Sequence, residues 1–336
     1  MLPAGLRWAG PFLAAGYSLG SRLHRALSTP RYAPVATLCV GNITVGGTGK
    51  TPATKYFARG LAARGRKPAV LLRGYKGQAG DEAVELRSTL GELGVPILIG
   101  ADRLANGARA GEQGCDVALL DDGFQHWSLA RDLDMVLVDA TAPFGGNHLA
   151  PWGRLRERPE ALSRAGVVVI TRADMLPVDE LATLEKHVAC YAPQAALAKA
   201  RHKPVALREL MGGKTLGLGE LKQKRVYALC GLGNPEAFLQ TLSKLETQLA
   251  GNACYPDHVA YDRWQLDSID IPVARELGAQ AMVVTEKDAA KLEPLLFGVP
   301  FPFWALTVQF EILSGEEAVW ARIDEALQAG DKRVRG

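Results

Sequence analysis

Glycines that run into a lysine and a threonine make a turn able to hold phosphate. Residues 41–52 read Gly41-Asn42-Ile43-Thr44-Val45-Gly46-Gly47-Thr48-Gly49-Lys50-Thr51-Pro52. In such a turn Gly46, Gly47, Thr48 and Gly49 bring successive backbone N–H groups onto one anion, Lys50 neutralises outer phosphates, and the Thr51 hydroxyl reaches magnesium. Pro52 suits the first turn of a helix that adds its dipole. The first glycine of the GxxxxGK[ST] pattern falls on Thr44, yet the GGTGKT core is intact. The turn therefore predicts a nucleoside triphosphate with Mg2+.

A nucleotide-bound magnesium needs a second anchor at the tip of a neighbouring strand. Val117-Ala118-Leu119-Leu120-Asp121-Asp122 is an apolar run ending in two carboxylates, and both aspartates are candidate metal ligands. An acidic loop after a buried strand is the plainer alternative. Asp81-Glu82 opens a helical stretch, where an aspartate reads first as an N-cap. His258 read by itself is a surface or core histidine.

The elements that position these residues follow from periodicity. Short β-rich runs at 35–40, 69–72, 96–99, 117–120, 135–138 and 167–170 alternate with helical stretches at 52–64, 82–93, 101–113, 159–164 and 178–188. Such alternation predicts an α/β fold, a P-loop NTPase-like mostly parallel sheet flanked by helices. Residues 203–224 loosen into Gly-rich, charged sequence, which suggests a hinge. Beyond it come helices at 235–246, 265–277 and 315–328 and strands at 226–230, 281–285 and 303–307. The expected division is 1–30 for an amphipathic membrane-associating helix, 31–210 for the P-loop domain, and 211–336 for a smaller α/β domain closing over the site.

With 336 residues, 48% hydrophobic and 22% charged, the chain has enough apolar sequence for two cores. Disordered and collagen-like classes are excluded. Five cysteines lie far apart without CxxC spacing, so neither a disulfide framework nor a zinc site is implied, and a reducing cytosol fits. Residues 1–80 hold twelve Lys or Arg and no Asp or Glu, so the first quarter attracts anions. Fourteen residues without formal charge separate Arg7 from Arg22, short of the roughly 20 apolar residues needed to span a bilayer. Drawn as a helix, Leu2, Leu6, Ala9, Leu13, Tyr17, Leu23 and Leu27 share one face and Arg7, Ser18, Arg22 and Arg25 lie opposite. That predicts an interfacial helix on an anionic membrane; a helix packed on the protein's own core has the same period.

The run Asp121-Asp122-Gly123-Phe124-Gln125-His126 resembles the tetraacyldisaccharide 4'-kinase (lipid A 4'-kinase) family. So do, in order, the block 41–52, Arg73-Gly74-Tyr75, Gly80-Asp81-Glu82, Leu129-Ala130-Arg131-Asp132, Leu155-Arg156-Glu157, Gly231-Leu232-Gly233-Asn234-Pro235, Asp257-His258 and Thr285-Glu286-Lys287-Asp288. Leu72 and Trp127 depart slightly from that pattern. The resemblance implies transfer of the ATP γ-phosphoryl group to the 4'-hydroxyl of tetraacyldisaccharide 1-phosphate, at the cytoplasmic face of the inner membrane. It implies Asp81 as the base, assisted by His258, and Arg73, Tyr75, Glu82, Gln125, His126, Arg156 and Glu157 as pocket residues. His126 is equally readable as a structural partner of the two aspartates. No obligate protein partner is implied.

Two other readings compete. Ile170-Thr171-Arg172-Ala173-Asp174 and Thr285-Glu286-Lys287-Asp288 follow apolar strands as the base-reading loops of GTPases do, which would suit a GTPase or metallochaperone-like NTPase. No Cys/His cluster accompanies them. A nucleic-acid module would need basic residues interleaved with stacking aromatics, and here the basic residues surround a P-loop and an amphipathic stretch, so no nucleic acid is expected.

Overall fold

The computed structural model describes residues 10–74, 80–257 and 259–335. In chain order its first elements are α1 (Gly10–Leu27), β1 (Ala36–Asn42), α2 (Lys50–Ala63), β2 (Pro68–Leu72), α3 (Asp81–Leu90), β3 (Ile97–Ile99) and α4 (Arg103–Glu112). Then come β4 (Val117–Asp121), β5 (Leu133–Asp139), β6 (Val167–Thr171), α5 (Val178–Tyr191), β7 (Ala196–Glu209), β8 (Thr215–Leu216), α6 (Glu220–Gln223), β9 (Val226–Gly231) and α7 (Pro235–Lys244). The last are β10 (Leu249–Tyr255), α8 (Arg263–Gln265), α9 (Ile271–Glu276), β11 (Ala281–Thr285), α10 (Glu286–Leu292), β12 (Phe303–Ser314) and α11 (Glu316–Arg335).

Two compact units emerge, one of residues 1–202 with 310–336 and one of residues 203–309. The chain leaves the first unit within β7 and returns within β12. In the first unit the strands lie in the order β7-β6-β5-β1-β4-β2-β3, and neighbours run parallel. β1 and β4 are buried along their whole length, as strands covered on both faces should be. Helix α2 buries Ala53, Thr54, Phe57, Ala58 and Leu61, a stripe at helical spacing against one face. The register pairs Val40 with Asp121 and Asn42 with Leu137, so the ends of β1 and β4 lie side by side. Ligands of open parallel sheets gather at such ends.

The second unit orders its strands β10-β9-β11-β12, all parallel, between two apolar layers. Its extent differs from the contiguous 211–336 domain expected from sequence. α11 belongs to the first unit, where Val319, Trp320, Ile323 and Leu327 join the core beneath α2 and Arg333 pairs with Asp132 at 2.9 Å. Residues 203–209, read as part of a loosening hinge, continue β7. Lys203 and Arg208 hide that strand from a hydrophobicity pattern. β10 was hidden likewise, since Gly251 and Asn252 interrupt a half-exposed run. The stretch 159–164 is a 3₁₀ turn rather than an α-helix.

Candidate active site

Between β1 and α2 the glycine-rich turn is held by its neighbours on several sides. Asn42 Nδ2 donates to Thr48 Oγ1 at 2.9 Å, and both residues are buried. Thr171, at the end of β6, donates its hydroxyl to the Thr48 carbonyl at 3.0 Å. Arg172 pairs with Asp139 and donates to the Gly47 carbonyl at 3.0 Å. Arg154 Nε donates to the Val45 carbonyl at 3.1 Å. Gly46 (φ 113°) and Gly49 (φ 89°) have left-handed backbone that only glycine enters without strain. At Gly49 a Cβ would also lie 2.3 Å from His202 Nε2. The turn is thus built in advance of any anion.

At the tip of β4 the two aspartates meet different fates. Asp121 is 3% exposed, and its Oδ1 has no hydrogen-bond partner. Burial, then the charge of Glu82, pushes its carboxyl well above the ordinary range. Asp122 has positive φ (53°) and turns toward cations, with Oδ1 3.7 Å from Lys50 Nζ and 2.7 Å from an Arg156 nitrogen. Burial works against its charge, but Lys50 and Arg156 outweigh that and hold its pKa below the usual value. An unsatisfied buried carboxylate oxygen, a second carboxylate beside it and the Thr51 hydroxyl at the head of α2 suit a hard divalent cation. Among the described residues no three His, Cys, Asp or Glu side chains are arranged to hold a metal unaided. A nucleotide magnesium draws several ligands from phosphate and water, so that donor set is in keeping.

From Asp122 a polar chain leads outward. Arg156 also donates to Gln125 Oε1 at 3.3 Å, and Gln125 Nε2 donates to the Asn42 carbonyl and to Glu157 Oε1, each at 2.9 Å. Arg164 grips Glu157 with two bonds of 2.9 Å and lies over the Phe124 ring at 4.2 Å. Beyond this chain opens a cavity of about 370 Å³ lined by Arg25, Trp127, Arg156, Glu157, Arg158 and Arg164, among others. Arg25, from α1, sits 4.9 Å over the Trp127 ring.

The P-loop residues, Asp121, Asp122, Gln125, Arg156 and Glu157 thus converge. Glu82 is exposed, yet its charge acts on Asp121. Arg73 is exposed near enough to depress the His126 pKa, along with Arg103 and Arg131. Burial is the largest cause, and the imidazole falls to about 4. His126 Nε2 shares a 3.1 Å hydrogen bond with Ser128 Oγ. Tyr75 and His258 lie outside the described residues, as does the side chain of Asp81, which opens α3.

Two residues escaped the sequence reading. Arg103 is 2% exposed, donates to the Asp121 carbonyl at 3.2 Å, and leaves Nε and Nη1 unpartnered. Burial disfavours its charge, as for any lone buried cation. Its only sequence signal was its place just after the α4 N-cap Asp102. His202 packs on Gly49 with a buried, unpartnered Nε2, and burial, then Arg172, depresses its pKa to about 3. It sits in β7, for which the sequence reading expected no strand.

The segments that resembled base-reading loops are engaged internally. Thr171 and Arg172 brace the P-loop, and Thr285 caps α10, accepting from Asp288 N at 3.2 Å. Asp288 accepts bonds from Gly231 N, Tyr261 Oη and Thr285 Oγ1 at 2.7–3.1 Å. A GTPase reading gains no support from them.

Comparison with known proteins agrees with this geometry. The family model for Tetraacyldisaccharide-1-P 4'-kinase (LpxK) matches residues 6–328. The tetraacyldisaccharide 4'-kinase of Anaeromyxobacter sp. (strain Fw109-5) is 38% identical over 342 residues, spanning 96% of this chain and 91% of the relative. That of Syntrophus aciditrophicus (strain SB) is 37% identical over 289 residues, spanning 78% and 76%. LpxK from Aquifex aeolicus, crystallised in complex with ATP, shares the fold with a TM-score of 0.70 at 23% identity, over 96% of this chain and 99% of that one. With the model match running nearly end to end and such relatives beside it, the chain belongs to the tetraacyldisaccharide-1-phosphate 4'-kinase family.

Proposed function

We propose that this chain transfers the γ-phosphoryl group of ATP to the 4'-hydroxyl of a tetraacyldisaccharide 1-phosphate, a step of lipid A biosynthesis. One observation carries the reading: Arg156 lines the arginine-rich cavity and donates to Asp122, which faces Lys50. A single side chain thus joins a space for an anionic acceptor to the phosphate turn. The P-loop amides and Lys50 would bind the ATP phosphates, and Thr51, Asp121 and Asp122 would hold magnesium. When bound, that ion would supply charge neutralisation to the β- and γ-phosphate oxygens. Arg103 has two free donors beside the same carboxylates, suited to phosphoryl oxygens.

A sugar hydroxyl is a weak nucleophile, so a carboxylate that takes its proton lowers the barrier. Asp81 is assigned that role and His258 assists it. Both assignments rest on the matched blocks. Gln125, Glu157, Arg73, Glu82, Tyr75 and His126 are assigned to the acceptor pocket.

Residues 1–28 are proposed to hold the enzyme on the cytoplasmic leaflet of the inner membrane, where the acyl chains of the acceptor reside. No helix among the described residues is long and apolar enough to cross a membrane. Leu13, Leu23 and Leu27 of α1 are exposed, which favours an interfacial helix over one sunk in the protein core.

The test is ATP turnover measured with the lipid disaccharide, with RNA and with neither. Turnover should rise with the lipid alone. Asp81→Asn should then lower kcat with little change in the KM for ATP, and adding His258→Ala should cost less than the separate effects combined. A weakened ATP KM with unchanged kcat would make Asp81 a cap or a metal ligand instead.

A further inference from the structure

Five cysteines scattered through the sequence suggested no pairing, but topology brings two of them together. Cys230 and Cys254 are register partners on the parallel strands β9 and β10, each next to last in its strand. Neighbouring strands run about 4.8 Å apart, inside the Cα separation of about 4.4–6.8 Å that a disulfide accepts. The sulfurs already lie 3.8 Å apart, both thiols free. Cys230 is buried and Cys254 exposed. We propose that Cys230 and Cys254 form a reversible, peroxide-responsive disulfide site that throttles the kinase.

Exposure assigns the order of events. The Cys254 sulfur meets oxidant first, while burial and the neighbouring sulfur keep the proton on Cys230. A hydroperoxide is attacked by the Cys254 thiolate at oxygen; the O–O bond breaks, giving a Cys254 sulfenic acid and releasing water or an alcohol. Cys230 then attacks the Cys254 sulfur, the S–S bond forms, the S–O bond breaks, and hydroxide leaves with the Cys230 proton as water. The peroxide is reduced and both thiols are oxidised. With Cys254 exposed, a thiol reductant can reach the bond, as it does in labile disulfides.

The position gives the cross-link a consequence. Cys230 precedes Gly231, whose N–H donates to the buried Asp288 at 3.1 Å and where an added Cβ would lie 2.5 Å from Val259 and 3.1 Å from Tyr261. Cys254 precedes Tyr255, which donates to Asp270 at 2.7 Å, and Asp257, which pairs with Lys287 at 2.7 Å. The bond would therefore pull on the strand ends that lead to the 231–235 block and to Asp257. This consequence rests on the reading of His258 as part of the acceptor site.

The full-length enzyme is exposed to hydrogen peroxide, free thiols are blocked, and peptides are mapped by mass. Expected is a cross-linked Cys230–Cys254 peptide pair lacking two hydrogens, with loss of turnover, both reversed by a thiol reductant. Cys254→Ser should keep its turnover under the same peroxide and yield no such pair. Cys254 recovered as free thiol or as sulfinic acid, without the cross-link, would overturn the site. Turnover lost equally in Cys254→Ser, or unchanged in the cross-linked wild type, would overturn the throttle. Turnover of reduced His258→Ala, measured alongside, tests the reading of His258 separately.

Discussion

Asp121 and Asp288 occupy comparable places in the two units. Each is a buried aspartate where a parallel strand gives way to a loop or helix, and burial pushes both carboxyls above their ordinary range. At Asp288 the penalty is offset by hydrogen bonds from Thr285, Gly231 and Tyr261. At Asp121 one carboxylate oxygen has no partner, and Glu82 and Asp122 add like charge. A saturated buried carboxylate is architecture; an unsaturated one among like charges is kept for something not part of the chain. The segments that follow the strands divide the same way, since Thr285 beside Asp288 caps a helix and Lys50 presents an ammonium beside Asp122.

Lys50→Ala is the severest test of that division. An ammonium aimed at transferring oxygens in a dry site has no substitute, and its loss should lower kcat by about 100- to 1000-fold, the usual cost of one such donor. Steady-state turnover at saturating ATP measures it. Near-normal turnover would place the phosphate site elsewhere and erase the contrast.

The aspartates themselves should then split by readout. Asp288→Ala strands three donors in a buried position and should cost about 3 kcal/mol of folding stability in urea titration. Asp121→Asn should abolish most turnover but leave the magnesium-free protein as stable as wild type, or more so, at neutral pH. The sign follows from linkage: the raised folded pKa means wild type loses stability as pH rises through that value, whereas the Asn variant lacks that dependence. Equal stability losses in both variants would make Asp121 architectural too.

A smaller effect concerns His202 beneath the P-loop. Its folded pKa of about 3 lies below the unfolded value, so the unfolded chain takes up a proton first as pH falls. Stability should therefore drop between about pH 6.5 and pH 3. His126, depressed to about 4, adds a drop of the same sign. His202→Leu should lose less Tm than wild type between about pH 7.5 and pH 5. Identical slopes would mean that the imidazole finds a partner when protonated.

Much of the site was legible because its residues are consecutive. Gly46 to Thr51 and Asp121 to His126 are each one short segment, and the hydrophobic strand before each fixed its place at the carboxyl end of the sheet's strands. Arg103 and His202 were not legible, because their role depends on which strand lies beside which, and β7 carries too many charges to read as a strand. The same reason hid the meeting of Cys230 with Cys254 and the return of α11 to the first unit. Periodicity reports an element's faces; it does not report what packs on them.

The gentlest test sits at the rim of the cavity, where α1 meets the site. Arg25 is exposed and stacks on Trp127, so its charge is offered to solvent while its position is fixed. A basic residue near an anionic bilayer contributes about 1 kcal/mol. Losing that charge alone should weaken binding to anionic vesicles about fivefold, so Arg25→Glu, which also adds a like charge, should weaken it by more than that and leave binding to neutral vesicles unchanged. Raising the salt should shrink the difference, since screening removes the attraction in wild type as well. Deleting residues 1–28 should weaken binding to both kinds of vesicle, because the exposed leucines go with the charge. A charge reversal felt equally on neutral and anionic vesicles would mean that Arg25 serves the cavity wall through Trp127, and that the attraction to acidic headgroups comes from another part of the basic first quarter.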